Sequence, residues 1–179
     1  MFKKIDNILN IFIEEPEKRF SVREIARLLK INPSTASKYL QILAKDGFLR
    51  KRKEFNCILY QADAESEKFK DIKIYYNISK IRNSGLIEVI EDELYPEVII
   101  LFGSYAKGEN TKRSDIDLFV LSESKKNLDV ATFEKIFGSE IQLFVMNKKK
   151  VENIKKENKE LLNNIMNGIR MSGFFEVFI

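Results

Sequence analysis

Histidine and tryptophan are absent from this chain of 179 residues, cysteine occurs once, proline three times and glycine seven times. Without histidine, and with a single thiol, a zinc site lacks its ordinary ligands. A carboxylate or a solvent path is then the expected general base. Cys57 is alone, so it forms no internal disulfide and a reducing cytoplasm is the expected setting. Its expected place is as a small buried apolar residue in a strand. No apolar run approaches the length of a membrane span. The opening Met1-Phe2-Lys3-Lys4-Ile5 passes directly into polar and charged residues, so no signal peptide is expected. Few glycines and prolines mean few chain breaks, which favours a helix-rich protein with short loops.

What is present is charge and apolar side chains. Charged residues make up 32% and hydrophobic residues 44%, enough for a packed core. The net charge of +4 is unevenly spread. Residues 1–62 hold 13 of the 31 Lys and Arg and 7 of the 27 Asp and Glu, a net of +6. The remainder is therefore −2. Nucleic acid, if bound, is expected on the first third.

One stretch carries most of the chemistry. Val98-Ile99-Ile100-Leu101-Phe102 is an apolar run that ends in Gly103-Ser104. After ten intervening residues, Asp115-Ile116-Asp117-Leu118 opens a second apolar run. Side chains alternate along a strand, so Asp115 and Asp117 point to one side, their Cα atoms about 6.5–7 Å apart. Two carboxylates that close repel each other unless a cation lies between them. Mg²⁺, or Mn²⁺ in its place, is the natural occupant, with water and phosphate completing its shell. Gly103 lets a polyphosphate approach the backbone. Ser104 offers a hydroxyl, and a helix starting there would point N–H groups at an anion. A phosphate cradle beside an acidic metal clamp reads as phosphoryl or nucleotidyl transfer.

This spacing resembles the nucleotidyltransferase superfamily related to DNA polymerase β, and within it the minimal prokaryotic nucleotidyltransferases often paired with helical toxin proteins. The matching residues are Gly103, Ser104, Asp115 and Asp117, with Ser114 before the acidic pair and Gly108 in the loop. The resemblance covers about Leu94 to Met146, and more loosely the rest of the chain. It implies a small mixed sheet flanked by helices and an ATP or other nucleoside triphosphate substrate. It implies that Asp115 and Asp117 hold the metal and Gly103 and Ser104 the triphosphate, with Ser114 as a further nucleotide contact; by their charge, Lys107 and Arg113 are candidate phosphate neutralisers beside them. The family supplies a third carboxylate from the next strand, where this chain has Gln142. Glutamine coordinates weakly and cannot act as a base. Glu140 lies two residues earlier on the same side of that strand. It is either the substitute catalytic carboxylate or a surface residue at the strand start.

The first third shows a second pattern. Phe2, Ile5, Ile8/Leu9 and Phe12/Ile13 recur at helical intervals. Ser21 and Glu24 form a capping box before a helix that buries Val22, Ile25, Ala26 and Leu28/Leu29. After Ile31-Asn32, Pro33 starts a second helix that Gly47 ends. Ala36, Tyr39, Leu40, Leu43 and Ala44 form its apolar side. Ser34, Thr35, Ser37, Lys38 and Gln41 face outward. Residues 48–60 read as a hairpin whose tip is made basic by Arg50, Lys51, Arg52 and Lys53.

Short turn, small polar residues and basic wing resemble the winged helix-turn-helix domains of prokaryotic transcription regulators. That resemblance implies double-stranded DNA as partner. The outward residues of the second helix would read base edges, and the wing cations would meet phosphates. Winged helices also serve protein contacts and dimers, and that use stays open.

The expected architecture is α/β (α+β) in three parts. They are a winged helix-turn-helix domain over 1–62, a helical linker over 63–83 suited to a homodimer, and a minimal nucleotidyltransferase domain over 84–179. Further elements are a helix at Glu65–Lys80 carrying Phe69, Ile72, Tyr75 and Tyr76, and one from a Ser84 cap to Leu94. After them come a helix at Asp129–Phe137, a strand at Glu140–Met146, helices at Lys148–Lys156 and Glu160–Arg170, and a closing strand or apolar tail over 173–178. Three functions fit this pattern. One is a Mg²⁺-dependent transferase moving a nucleotide monophosphate, AMP from ATP, to a protein or small-molecule hydroxyl. Another is a nucleotide-sensing regulator with a deficient site. The third is an autoregulating antitoxin with a toxin partner.

Overall fold

Ser21 begins the first packed layer. In the computed structural model, which describes residues 2–174, its hydroxyl accepts from the Glu24 amide. The Glu24 carboxylate accepts from the Ser21 amide at 2.7 Å. These bonds close the capping box and hold the Glu24 carboxyl below its ordinary range. The helix they start, α2 (Val22–Leu28), packs beside α3 (Pro33–Lys45), with Pro33 in its first turn. Ala36, Tyr39, Leu40 and Leu43 form the buried side of α3. α1 (Phe2–Glu14) adds Ile8, Leu9, Phe12 and Ile13 to the same core. The Phe2 side chain lies outside the described residues.

β1 (Phe20–Ser21), β2 (Leu49–Glu54) and β3 (Cys57–Ala62) form an antiparallel sheet in the order β1-β3-β2. Three expectations are corrected here. Cys57 is exposed, because it opens β3 beside the hairpin turn rather than in its packed half. The basic residues run along β2, and the tip itself is Phe55-Asn56. Leu28, at the end of α2, is also 55% exposed; Ile25 and Ala26 supply the buried face.

The chain divides into two compact units, Met1–Lys73 and Ile74–Ile179. The division falls inside α4 (Glu67–Asn83). In the first unit Phe69 is fully buried and Lys73 nearly so. Burial pushes the Lys73 ammonium down to about 8, opposed by the charge of Glu17.

The second unit is built on a four-stranded sheet, β6-β5-β4-β7. Its strands are β4 (Val98–Phe102), β5 (Ile116–Leu121), β6 (Ile141–Met146) and β7 (Ile169–Gly173). β4 is antiparallel to β5 and β7, and β5 is parallel to β6. All five residues of β4 are buried, because both faces of the sheet are covered. Ile99, Leu101, Leu118 and Val120 pack with Leu86, Ile87, Ile90 and Leu94 of α5 (Leu86–Leu94). Ile100, Phe102, Phe119 and Leu121 pack with Ile165 of α9 (Lys159–Met166) on the other face. α6 (Gly103–Lys107), α7 (Ala131–Phe137) and α8 (Lys148–Glu157) complete the unit.

Two element ends differ from the sequence pattern. Gly85, not Ser84, is the cap of α5; the Ser84 hydroxyl still accepts from the Leu86 amide at 3.2 Å. α9 ends at Met166 rather than Arg170, and the chain turns at Gly168 into β7. A Cβ at Gly168 would stand 2.5 Å from the Leu101 carbonyl, so the close approach to β4 requires glycine. Residues 175–178 of the expected closing strand or tail lie outside the described residues.

Candidate functional site

Gly103 ends β4 and starts α6 with φ +69°, a conformation that side chains other than hydrogen disfavour. A Cβ there would also overlap the carboxylate of Asp117. Phe102 pairs with Asp117 across β4 and β5, which fixes that carboxylate against the Gly103 backbone. α6 is only five residues long and closes at Gly108, φ +67°. The cradle therefore rests on the Gly103 turn and Ser104, not on a long helix dipole.

Asp117 also registers with Gln142 on the parallel strand β6. The Gln142 amide donates to Asp115 Oδ2 at 2.7 Å. Asp115, Asp117 and Gln142 are thus brought together at one end of the sheet. Burial first, and the nearby Asp115 charge second, hold the Asp117 carboxyl above its ordinary value of 3.8. Among the described residues no group of three or more His, Cys, Asp or Glu stands ready to hold a metal. The acidic centre is a pair. Glu140 is exposed just ahead of β6, and its backbone carbonyl accepts from the Ile116 amide at 2.8 Å.

The other nucleotide candidates are spread along the loop. The Ser114 hydroxyl accepts from the Thr111 amide at 2.9 Å, so it shapes the turn before the acidic pair. Lys107 ends α6, and Arg113 lies in that turn; both are exposed. The pattern missed one residue, Asn77 on α4. It is 4% exposed, and its amide donates to the Tyr105 carbonyl at 2.9 Å and to Asn110 Oδ1 at 2.8 Å. Tyr105 also shares a hydrogen bond with Ser139. These bonds pin α6 and the loop after it. The signal in the sequence was a polar residue four positions from Ile81 and eight from Phe69, on the side of the helix that is buried, where an apolar residue would serve packing. Replacing Asn77 with Leu removes both bonds, and a buried acceptor left unpaired costs about 1–3 kcal/mol. Chemical denaturation of the Asn77→Leu variant is expected to show that loss; unchanged stability would contradict the clamp.

On α3, Ser34, Ser37, Lys38, Gln41 and Lys45 share one open face with Ile42. Gln41 donates to the Ser37 hydroxyl at 3.1 Å, and Thr35 is half-buried. Arg50, Lys51, Arg52 and Lys53 are all exposed on β2. Arg50 is paired with Asp63 at 2.7 Å, which leaves Lys51, Arg52 and Lys53 as the more available cations of that strand.

Residues 84–171 match the family model for Polymerase beta, Nucleotidyltransferase, and residues 6–53 match that of the IclR helix-turn-helix domain. The chain joins a helix-turn-helix domain to a nucleotidyltransferase domain. The nucleotidyltransferase match contains Gly103, Ser104, Asp115, Asp117 and Gln142; the helix-turn-helix match contains α2, α3 and most of β2. No protein of curated function matches the chain significantly. Among solved structures, the transcriptional regulator HlyU from Vibrio vulnificus CMCP6 is 27% identical. That match covers 40% of this chain and 75% of HlyU, with a TM-score of 0.33. HlyU from Vibrio cholerae N16961 is 26% identical over 40% of this chain and 78% of its own, TM-score 0.33. A possible transcriptional regulator from Methanosarcina mazei Go1 is 17% identical over 51% of this chain and 76% of its own, TM-score 0.36.

Proposed function

We propose that this protein binds duplex DNA through its helix-turn-helix domain and a Mg²⁺–nucleoside triphosphate through its nucleotidyltransferase domain, with transfer chemistry that is slow or lost. The observation that carries this reading is the Gln142–Asp115 hydrogen bond beside Asp117. Two carboxylates suffice for a magnesium ion that also takes phosphate oxygens. The residues present therefore fit the metal, with Asp115 and Asp117 as its holders. Bound there, Mg²⁺ would neutralise phosphate charge and polarise the transferring group.

Gly103 would let the phosphates approach the backbone, and Ser104 would donate its hydroxyl to them. Gln142 ties up an Asp115 oxygen and brings no negative charge, so it neither strengthens the clamp nor takes a proton from an acceptor hydroxyl. ATP is the nucleotide this reading favours. The incorporation of labelled nucleotide into candidate acceptors, compared with equilibrium binding of the same nucleotide, tests it: binding without appreciable incorporation is expected.

The DNA half rests on the open α3 face and the cations of β2. Replacing Lys51, Arg52 and Lys53 together with Ala should weaken binding to every duplex. It should also flatten the salt dependence, by about one unit of slope for each phosphate that is no longer neutralised. Changes at Ser34, Lys38 or Gln41 should instead alter sequence preference. Anisotropy titrations at several salt concentrations check this. A wild-type slope in the triple variant would count against the wing.

A further inference from the structure

The wing ends in a residue that no folding argument explains. Phe55 is 99% exposed, so it gains nothing from burial. Its φ is +51°, in the two-residue turn between paired Glu54 and Cys57, a place that suits glycine or asparagine. A bulky aromatic there is exposed and strained at once. Ile58, three residues on, is 43% exposed and enlarges the apolar tip.

The surroundings are cationic. Lys51, Arg52 and Lys53 occupy β2 directly behind the tip, all exposed. Alternation along the strand puts Lys51 and Lys53 on one face of the hairpin and Arg52 on the other. A hairpin entering a groove edge-on therefore meets a phosphate strand with cations on each side. At about 3.3 Å per residue, these cations stand about 7–13 Å behind Phe55. Lys53, the nearest at about 7 Å, would reach the rim of a minor groove about 7.5 Å deep, and Arg52 and Lys51 would lie beyond it. The nearest acid, Glu54, is paired with Arg19 and does not face the phosphates alone.

We propose that Phe55 is an apolar wedge that enters the minor groove of duplex DNA and partly unstacks a base step, while Lys51, Arg52 and Lys53 hold the flanking phosphates. Minor-groove proteins use apolar side chains in this way and kink the duplex in doing so. The proposal rests on the DNA-binding reading above and adds a distinct contact to it.

The test uses the full chain and a mixed-sequence duplex carrying a fluorescent adenine analogue, with donor and acceptor dyes at its ends. Wild type should raise the analogue's fluorescence and bring the ends closer. Phe55→Ser should lose both signals and bind more weakly by about 5- to 150-fold, the range for one aromatic–base contact. Its salt slope should stay that of wild type, because no charge is removed. Phe55→Trp should retain the signals. Thermal unfolding of both variants should match wild type or improve on it.

Salt-dependent binding that is the same in wild type and Phe55→Ser would overturn the wedge and leave the DNA-binding reading intact. No duplex binding by wild type would overturn both. Unchanged duplex binding, together with a failure of Phe55→Ser to partition onto anionic phospholipid vesicles that wild type binds, would move the tip to a lipid surface and overturn the proposal.

Discussion

Gln142→Asp is expected to raise nucleotide transfer by about 10²-fold or more, the scale on which a positioned general base acts. Gln142 is the residue that registers with Asp117 across the parallel strands, and its amide already reaches Asp115. A carboxylate there adds a third anion and a proton acceptor to the pair. The same change should destabilise the metal-free protein, because three carboxylates crowd one end of the sheet. Added Mg²⁺ should restore that stability.

Glu140→Gln, in contrast, should change transfer little. Glu140 is exposed ahead of β6, and its backbone, not its side chain, is tied to β5. Single-turnover transfer measured for wild type and both variants decides between the two acids. Brisk wild-type transfer abolished by Glu140→Gln would make Glu140 the base and overturn the reading.

Asp115→Asn and Asp117→Asn together should abolish the stabilisation of the protein by MgATP. A ligand at 100 times its dissociation constant stabilises the folded state by about 2.7 kcal/mol, and the double variant should show none of it. Without ligand, Asp117→Asn alone should be more stable than wild type at neutral pH. The Asp117 carboxyl is held above 3.8 in the folded state, by burial and then by Asp115. The folded form therefore binds that proton more tightly than the unfolded chain. Stability from this group is present at low pH and is lost as pH rises from 3.8 through the raised folded value. At neutral pH the full penalty applies, and Asn removes it. The gap between variant and wild type should close as pH falls toward 3.8. Thermal unfolding with and without MgATP, at neutral and acid pH, reads both effects. An Asp117→Asn protein less stable than wild type at every pH would show that the carboxylate makes bonds the fold needs.

The parts of this structure that were legible in the sequence are those written locally. The capping box at Ser21 and Glu24, the proline start of α3 and the glycine after it each need only a few neighbouring residues. Apolar runs located β4, β5 and β6, and the offset of Gly103 from Asp117 located the site. What escaped depends on residues distant in sequence. Asn77 lies on a helix that reads as a linker, and its partners Tyr105 and Asn110 are 28 and 33 residues away. Helical periodicity gives such a residue a face but not a partner. Cys57 reads as a strand residue and is one, but strand period alone does not say which end of a hairpin is packed. The end of α9 was set by the close backbone approach of Gly168 to Leu101, a meeting of segments far apart along the chain. The basic tip became a basic edge with an aromatic end for a similar reason. The turn falls where Glu54 pairs with Cys57, and charge patterning does not fix strand register.

The most direct measurement is a calorimetric titration of the wild-type protein with ATP, run once with Mg²⁺ and once with a chelator. Saturable binding at one site per chain with Mg²⁺, and little or none without it, is the expected result. Equal binding in both titrations, or none in either, would contradict a metal clamp formed by Asp115 and Asp117 beside Gly103.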